Sequence, residues 1–349
     1  MSAPLNYSGP GQVAYGYQGS TYIFQAEGEN GAAKLDFQEK RTKRYTAMFG
    51  YHKSTVDDQT CKVSLTPFDS WGILPALFPP YLGINTGGAT TTGGQQVGVR
   101  PHDYAAGTAG AVSANGTSPT TIWTPDGRLY TVARSAITKH PGLKLGVGLP
   151  LFTGMEITGL IPVANAMGAS SGLVAVTGES GQSNNAGSSS IPAYGVPDFI
   201  NGHWTGALGS LTGFTALDAE DGWEIMIDVK YSPLTVSKRT LHMKLDSVEI
   251  MAKARITGLN TASAPMGTHT EITAQILAHT LGGVLTGTPD DLILTGPSSK
   301  TITLKDCECY MEGSGFEFGG TKLGTGEVAF VTELDFTSGA TKPVLIFSV

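Results

Sequence analysis

K-T-I-T-L-K-D-C-E-C-Y-M-E-G-S-G-F-E-F-G-G-T-K-L-G-T-G-E-V-A-F-V-T-E-L-D-F, from Lys300 to Phe336, is the stretch whose reading decides the fold. Ile302 and Leu304 alternate with polar residues, as do Phe316 and Phe318, Val328 and Phe330, and Leu334 and Phe336. Side chains along a strand point to opposite faces in turn, so this period of two marks strands with one buried and one wet face. Glycine-rich pairs between the runs read as hairpin punctuation. The stretch predicts a meander of two or three antiparallel strands, and nothing in it has the pattern of an active site.

The whole chain agrees with that reading. Its 349 residues suffice for one large domain or two to three ordinary ones. The apolar share of 40 % supports a core, while the charged share of 15 % falls below the roughly 25 % of an average domain. Glycine supplies 47 residues, and serine and threonine are plentiful. This is the composition of a mainly β protein with many turns. A formal net charge of -7 argues against affinity for nucleic-acid phosphates, which needs clustered Lys and Arg. Cys61, Cys307 and Cys309 make an odd, sparse set that suits a reducing compartment. No apolar run reaches the roughly 18 residues of a membrane span. M-S-A-P-L-N-Y-S-G-P-G, at positions 1–11, lacks the regions of a signal peptide, and folding in a cytoplasm is the expectation.

Residues 1–33 read as a Gly/Tyr/Gln-rich arm with aromatic points at Tyr15, Tyr17, Tyr22 and Phe24 but no core of its own. From residue 34 strands are predicted around Leu35 and Phe37, over Tyr45 to Tyr51 and over Cys61 to Leu65. Residues 67–83 carry prolines at 67, 75, 79 and 80 and predict a short apolar helical turn that plugs one end of a sandwich. Residues 83–121 read as a long loop. Strands return over 128–137, 143–146 and 155–160, and residues 161–216 read as a connection between a first domain, 34–160, and a second, 217–349. T-E-I-T-A-Q-I-L-A-H-T-L-G, residues 270–282, is the best helix pattern, with Thr270 as cap and Gly282 as stop. Met251 to Leu259 fits a short helix or a strand.

The second half echoes the first. Tyr51, Thr55, Val56, Thr60 and Leu65 return at constant spacing as Tyr231, Thr235, Val236, Thr240 and Leu245. Leu143-Lys144-Leu145-Gly146 returns as Phe316-Glu317-Phe318-Gly319, and Met155-Glu156-Ile157 as Val328-Ala329-Phe330. Echoes in the same order predict a diverged tandem duplication. Residues 34–160 hold twelve basic side chains against eight acidic, and residues 217–349 ten against seventeen. Unlike halves of this kind suit a ring in which a basic face meets an acidic one.

Patterns that carry chemistry are sparse. The histidines at 52, 102, 140, 203, 242, 269 and 279 form no H-E-x-x-H. Cys307-x-Cys309 has no second pair and reads as two small buried residues on one strand face. G-x-S-x-G does not follow a strand, and no helix follows the glycine runs to hold a phosphate. Asp57-Asp58 and Asp290-Asp291 read as carboxylate pairs at turns, and Asp126-Gly127 as a hairpin turn. The expectation is a protein without catalysis, metal or cofactor.

The strand I-T-L-K-D-C-E-C, then F-E-F-G-G, then G-E-V-A-F-V-T-E-L-D-F near the end, resemble the tail tube (major tail) protein family of long-tailed bacteriophages. The first half shows the same order more weakly, so the resemblance covers about 34–160 and 217–336. It implies two tandem β-sandwich or barrel domains, each with a short flanking helix. It also implies a virion protein, assembled in the host cytoplasm, whose stacked rings form the tube through which DNA leaves the capsid. The implied partners are further copies of the chain, tape measure and tail tip or terminator proteins, and DNA that passes without specific binding. Two tube domains per chain imply rings of three chains, and one implies rings of six.

If each tube domain gives four strands to an inner barrel, six domains supply about 24 strands at ~4.8 Å, roughly 115 Å across the strands. A tilt of about 40° stretches the circumference to about 150 Å. Side chains then leave a bore of roughly 35–40 Å, wide enough for a duplex about 20 Å across. A bore poor in cations would let DNA slide, because phosphate contacts create affinity, and Glu308, Glu312, Glu317 and Glu327 are the candidates to face it because they alternate with apolar residues. Residues 1–33, 83–121 and 161–216 would reach the next subunit or ring. Two other classes remain open at this point: another virion β-protein, such as a capsid decoration or fibre-base protein, and a carbohydrate-binding or hydrolytic β-sandwich that uses Trp71, Trp123, Trp204 or Trp223 as a platform.

Overall fold

The computed structural model describes residues 12–17, 20–26, 32–87, 94–101, 119–123, 129–161, 173–177, 202–208, 217–236, 239–257, 281, 290–311, 324–332 and 343–348. The fold is mainly β, as composition and alternation require. In the N-terminal half the strands are β1 (Gln12–Tyr17), β2 (Ser20–Gln25), β3 (Lys34–Thr46), β4 (Gly50–Leu65), β5 (Ile84–Asn85), β6 (Thr120–Trp123), β7 (Leu129–Val132), β8 (Ser135–Lys139), β9 (Leu143–Leu145), β10 (Met155–Gly159) and β11 (Val174–Thr177). In the C-terminal half they are β12 (Thr205–Leu208), β13 (Leu217–Ala219), β14 (Trp223–Val236), β15 (Arg239–Thr257), β16 (Asp290–Thr295), β17 (Thr301–Met311), β18 (Gly324–Thr332) and β19 (Leu345–Ser348).

In the C-terminal half, β12, β13, β15, β18, β17 and β16 pair in a closed antiparallel circuit. Closure leaves these strands no open edge within the circuit. The circuit encloses Trp223, Leu217, Leu292, Leu304, Val328 and Phe330, all buried. In the N-terminal half, β11-β7-β6-β1-β2 form one sheet and β3-β4-β10-β8 another. A bridge from Ala26 to Pro67 and the continuous run β7–β8 join them into the same kind of circuit.

The two halves repeat each other in register, pair for pair. Gln12↔Gln25 of β1–β2 answers Thr205↔Asp218 of β12–β13, and Tyr15↔Thr120 of β1–β6 answers Leu208↔Leu292 of β12–β16. Val63↔Ile157 of β4–β10 answers Ala252↔Phe330 of β15–β18. Val132↔Val174 of β7–β11 answers Leu304↔Leu345 of β17–β19, and Ile137↔Ile157 of β8–β10 answers Cys309↔Phe330 of β17–β18. The long hairpins β3–β4 and β14–β15 have their irregularities at matching places, one where Asp57 and Asp246 are skipped and one where His52 and Leu241 are skipped. The Met155-Glu156-Ile157 echo of the sequence falls on this correspondence. The echo from Tyr51 to Tyr231 does not. It lays Tyr51, Thr55 and Val56 of β4 on β14, the opposite arm, and Thr60 and Leu65 of β4 on β15 out of register.

Several sequence expectations are corrected. Residues 1–33 contain no mere arm: β1 and β2 complete the first circuit and bury Val13, Tyr15, Tyr17 and Phe24. Tyr45 to Tyr51 is not one strand but the end of β3, a turn at 47–49 and the start of β4, with Gly50 at φ 69. Within the expected connection 161–216, β11 belongs to the first half and β12 to the second. Within the expected loop 83–121, β5 pairs in parallel with β19 and β6 pairs with β1 and β7. Asp57-Asp58 lie on β4 and Asp290-Asp291 open β16, not turns. Met251 to Leu259 is strand as far as Thr257. Apart from Leu281, the helix expected at 270–282 lies outside the described residues, as do Asp126-Gly127 and Phe316-Glu317-Phe318-Gly319. The expected apolar helical turn is present as a 3-10 turn at Trp71–Ile73 followed by α1 (Leu74–Leu77), with Leu74, Leu77 and Phe78 buried. Phe347 of β19 stacks on Phe78 at 5.5 Å and meets the edge of Trp71 at 5.5 Å.

Candidate functional site

Each half presents one broad four-stranded face. Directly paired residues share a face. In the first half the order is β3-β4-β10-β8, and its outer residues include Lys34, Asp36, Lys40, Asp58, Lys62, Glu156 and Thr158. Lys62 and Glu156 form an ion pair at 3.2 Å, and the Thr138 and Thr158 hydroxyls meet at 2.7 Å. In the second half the order is β14-β15-β18-β17. Glu308 lies on β17 opposite Val331, half-buried between the buried Cys307 and Cys309. Glu327 lies on β18, exposed, opposite Arg255. Both share their face with Lys253, Glu249, Glu224, Asp228 and Lys230. This face is of mixed sign, because β15 sets Lys253 and Arg255 beside Glu308 and Glu327. Glu312 and Glu317 lie outside the described residues.

The two faces meet at a seam where β14 runs beside β8. No ladder joins these two strands among the described residues. Side chains and loop backbone make the seam instead. The Arg134 guanidinium, buried between β7 and β8, donates through Nη1 to Leu241 O at 2.6 Å and to Ile161 O at 2.9 Å, and through Nη2 to His242 Nδ1 at 2.9 Å. The Ile161 N–H donates to Thr240 O at 3.1 Å, and the Leu245 N–H to Val99 O at 2.9 Å. At the other end β9 adds to the start of β14, with Lys144 opposite Glu224 and Leu143 opposite Ile225. A groove of about 410 Å³ runs along the seam between Lys62, Glu156 and Thr158 on one side and Tyr231, Pro233 and Met243 on the other.

A chain of buried polar groups lies under the seam. His140 Nδ1–H donates to Leu77 O at 2.6 Å, and the Tyr231 hydroxyl donates to His140 Nε2 at 2.7 Å. The Tyr81 hydroxyl meets the Tyr231 oxygen at 3.4 Å. Burial pushes the His140 imidazole down to about 4, opposed by its bond to Leu77, so the ring is neutral at neutral pH. Burial raises Tyr231, Tyr81 and Tyr15 above the ordinary phenol range. Each group is held in its uncharged form, which suits a fixed internal joint.

The β3–β4 hairpin occupies in the first half the place that β14–β15 occupies in the second, yet it is bare. Ile227 is 7 % exposed and Leu245 0 %, whereas Phe37 and Val56, at the matching positions, are 42 % and 39 % exposed. Tyr45, Tyr51, Met48 and Phe49 at its tip are exposed as well. No family model and no curated protein matches this chain. Sequence reasoning missed Arg134, His140 and His242, because isolated residues carry no spacing signal until the strands bring them together.

Proposed function

We propose that the protein is a structural virion component, a tail tube protein of the long-tailed phage kind, with two tandem tube domains and three chains per ring. The observation that carries this reading is the edge-to-edge placement of two four-stranded faces of the same order, β3-β4-β10-β8 and β14-β15-β18-β17, with β8 beside β14. Each chain then supplies about eight strands, and three chains supply the ~24 that make a bore wide enough for duplex DNA. The bared β3–β4 hairpin supports the reading, since an exposed apolar surface of this kind marks an interaction site. A face of mixed sign suits a duplex that must slide, because clustered cations would hold phosphates.

Negative-stain imaging of the concentrated protein with mass per unit length tests it. Hollow tubes with three chains per ring are the expected result. A monomer at every concentration overturns the reading, and six chains per ring overturns the tandem arrangement alone.

A further inference from the structure

The register correspondence defines a second seam, between copies of the chain, and it rests on the ring reading above. We infer that the β3–β4 hairpin of one copy docks on the C-terminal half of a second copy in the way that β14–β15 docks on the N-terminal half of its own chain, with Lys53 of one copy meeting Asp306 of the other.

The argument starts from matching positions. β7 and β8 answer the two parts of β17, so Arg134, which lies between them, answers Asp306. In the hairpins, Leu234↔His242 answers Arg44↔Lys53, so His242 answers Lys53. Arg134 and His242 meet at 2.9 Å within the chain. At the second seam their places are taken by a carboxylate and an ammonium, an opposite-charge pair where the first seam has a guanidinium on a ring nitrogen. The β9–β14 contact shows the same exchange on one side. Glu224, set opposite Lys144, answers Lys34. The sequence echo of Lys144 is Glu317, which lies outside the described residues.

Charge content and apolar exposure agree with this occupant. Residues 34–65 hold seven basic side chains against four acidic, and residues 290–349 hold four against nine. Phe37 and Val56 are exposed at the two positions whose counterparts, Ile227 and Leu245, are buried. A surface that is basic and apolar therefore faces an acidic one on a second copy, head to tail. Such a contact is heterologous and closes a ring when the rotation allows. The two seams also differ in chemistry, so a hairpin set on the wrong half brings Lys53 against Arg134, which like charge disfavours.

The test uses the full chain. A mixture of isotopically labelled and unlabelled protein is assembled and treated with a zero-length carbodiimide, which joins an ammonium to a carboxylate in contact. Mixed-label peptides joining Lys53 to Asp306 are expected. In parallel, Lys53→Glu and Asp306→Lys should each raise the concentration needed for assembly about tenfold or more. The double variant should return it toward the wild-type value. Circular dichroism and the melting temperature report whether each variant folds. Tubes that form without any mixed-label pair, or single reversals that assemble like wild type, overturn this docking and leave the tube reading intact. A monomer at every concentration overturns both.

Discussion

Asp57 and Asp246 hold the same place in two hairpins: each is the residue skipped at a bulge, and each accepts a hydrogen bond from the hydroxyl across the ladder, Thr42 for one and Ser232 for the other. A bulge leaves one residue out of the ladder and increases local twist. A carboxylate there takes the donor that the partner strand offers. The same device at the same place sets the same bend in both hairpins. The hydrogen bond from Ser232, with help from Lys244, holds the Asp246 carboxyl below the usual carboxylate range. Titration by carboxyl-carbon NMR should find Asp246 below an ordinary Asp in wild type and returned toward it in Ser232→Ala. An ordinary value in wild type would refute the role given to the hydroxyl.

His140 predicts a pH dependence. Its folded value near 4 lies below the ordinary 6.5. Between those values the unfolded chain binds a proton that the folded chain does not, so stability falls as pH drops from 6.5 to 4 and this contribution levels off below. The loss is on the order of 3 kcal/mol, taking ~1.4 kcal/mol per unit. Denaturant unfolding across that range checks it. His140→Gln, which keeps a donor and an acceptor, should flatten the slope.

Val56 and Leu245 separate folding from assembly. Leu245→Ala opens a cavity at the internal seam and should cost about 2–5 kcal/mol of stability. Val56→Ala, at the matching exposed position, should change stability by less than about 0.5 kcal/mol. It should nevertheless raise the concentration needed to form tubes. Equal effects on the melting temperature would count against the difference in burial that separates them.

Gly296 is set by the ring of Trp204. A Cβ added there would lie 2.3 Å from Trp204 Cε2. Gly296→Ala should therefore cost about 1–3 kcal/mol through displaced packing. Tryptophan fluorescence and a melting curve measure it, and an unchanged melting temperature would contradict the close approach.

The thiols should be inert in the folded protein. Burial pushes Cys61 up to about 11 and Cys307 up to about 12, and raises Cys309 as well. The thiolate is the reactive form, so an aromatic disulfide reagent at pH 8 should label them slowly in the native state and fast in denaturant. Fast native labelling would show that these strands open.

Strand positions were legible where one face was buried and the other wet. Ile302 and Leu304 alternate with polar neighbours, and both are buried. β1 was not legible, because V-A-Y-G-Y sets small residues between its aromatics and resembles a flexible tail. The repeat was legible at β10 and β18, whose residues pack into equivalent cores. It was misplaced at the hairpins, whose outer arms touch different surroundings and have kept shape but not residues. The seam was invisible for a related reason: Arg134 and His242 lie far apart in the chain and meet only after the two halves dock.

The parallel pairing of β5 with β19 joins an early segment to the chain's final strand. Until Phe347 is made, Phe78 and Trp71 lack the ring that covers them. Contacts so distant in sequence are slow to close, because the loop entropy is lost before the contact forms. Synthesis order thus becomes a checkpoint. A nascent chain that stops short of β19 keeps this aromatic patch uncovered, although the circuit of β12, β13, β15, β18, β17 and β16 is already present in it.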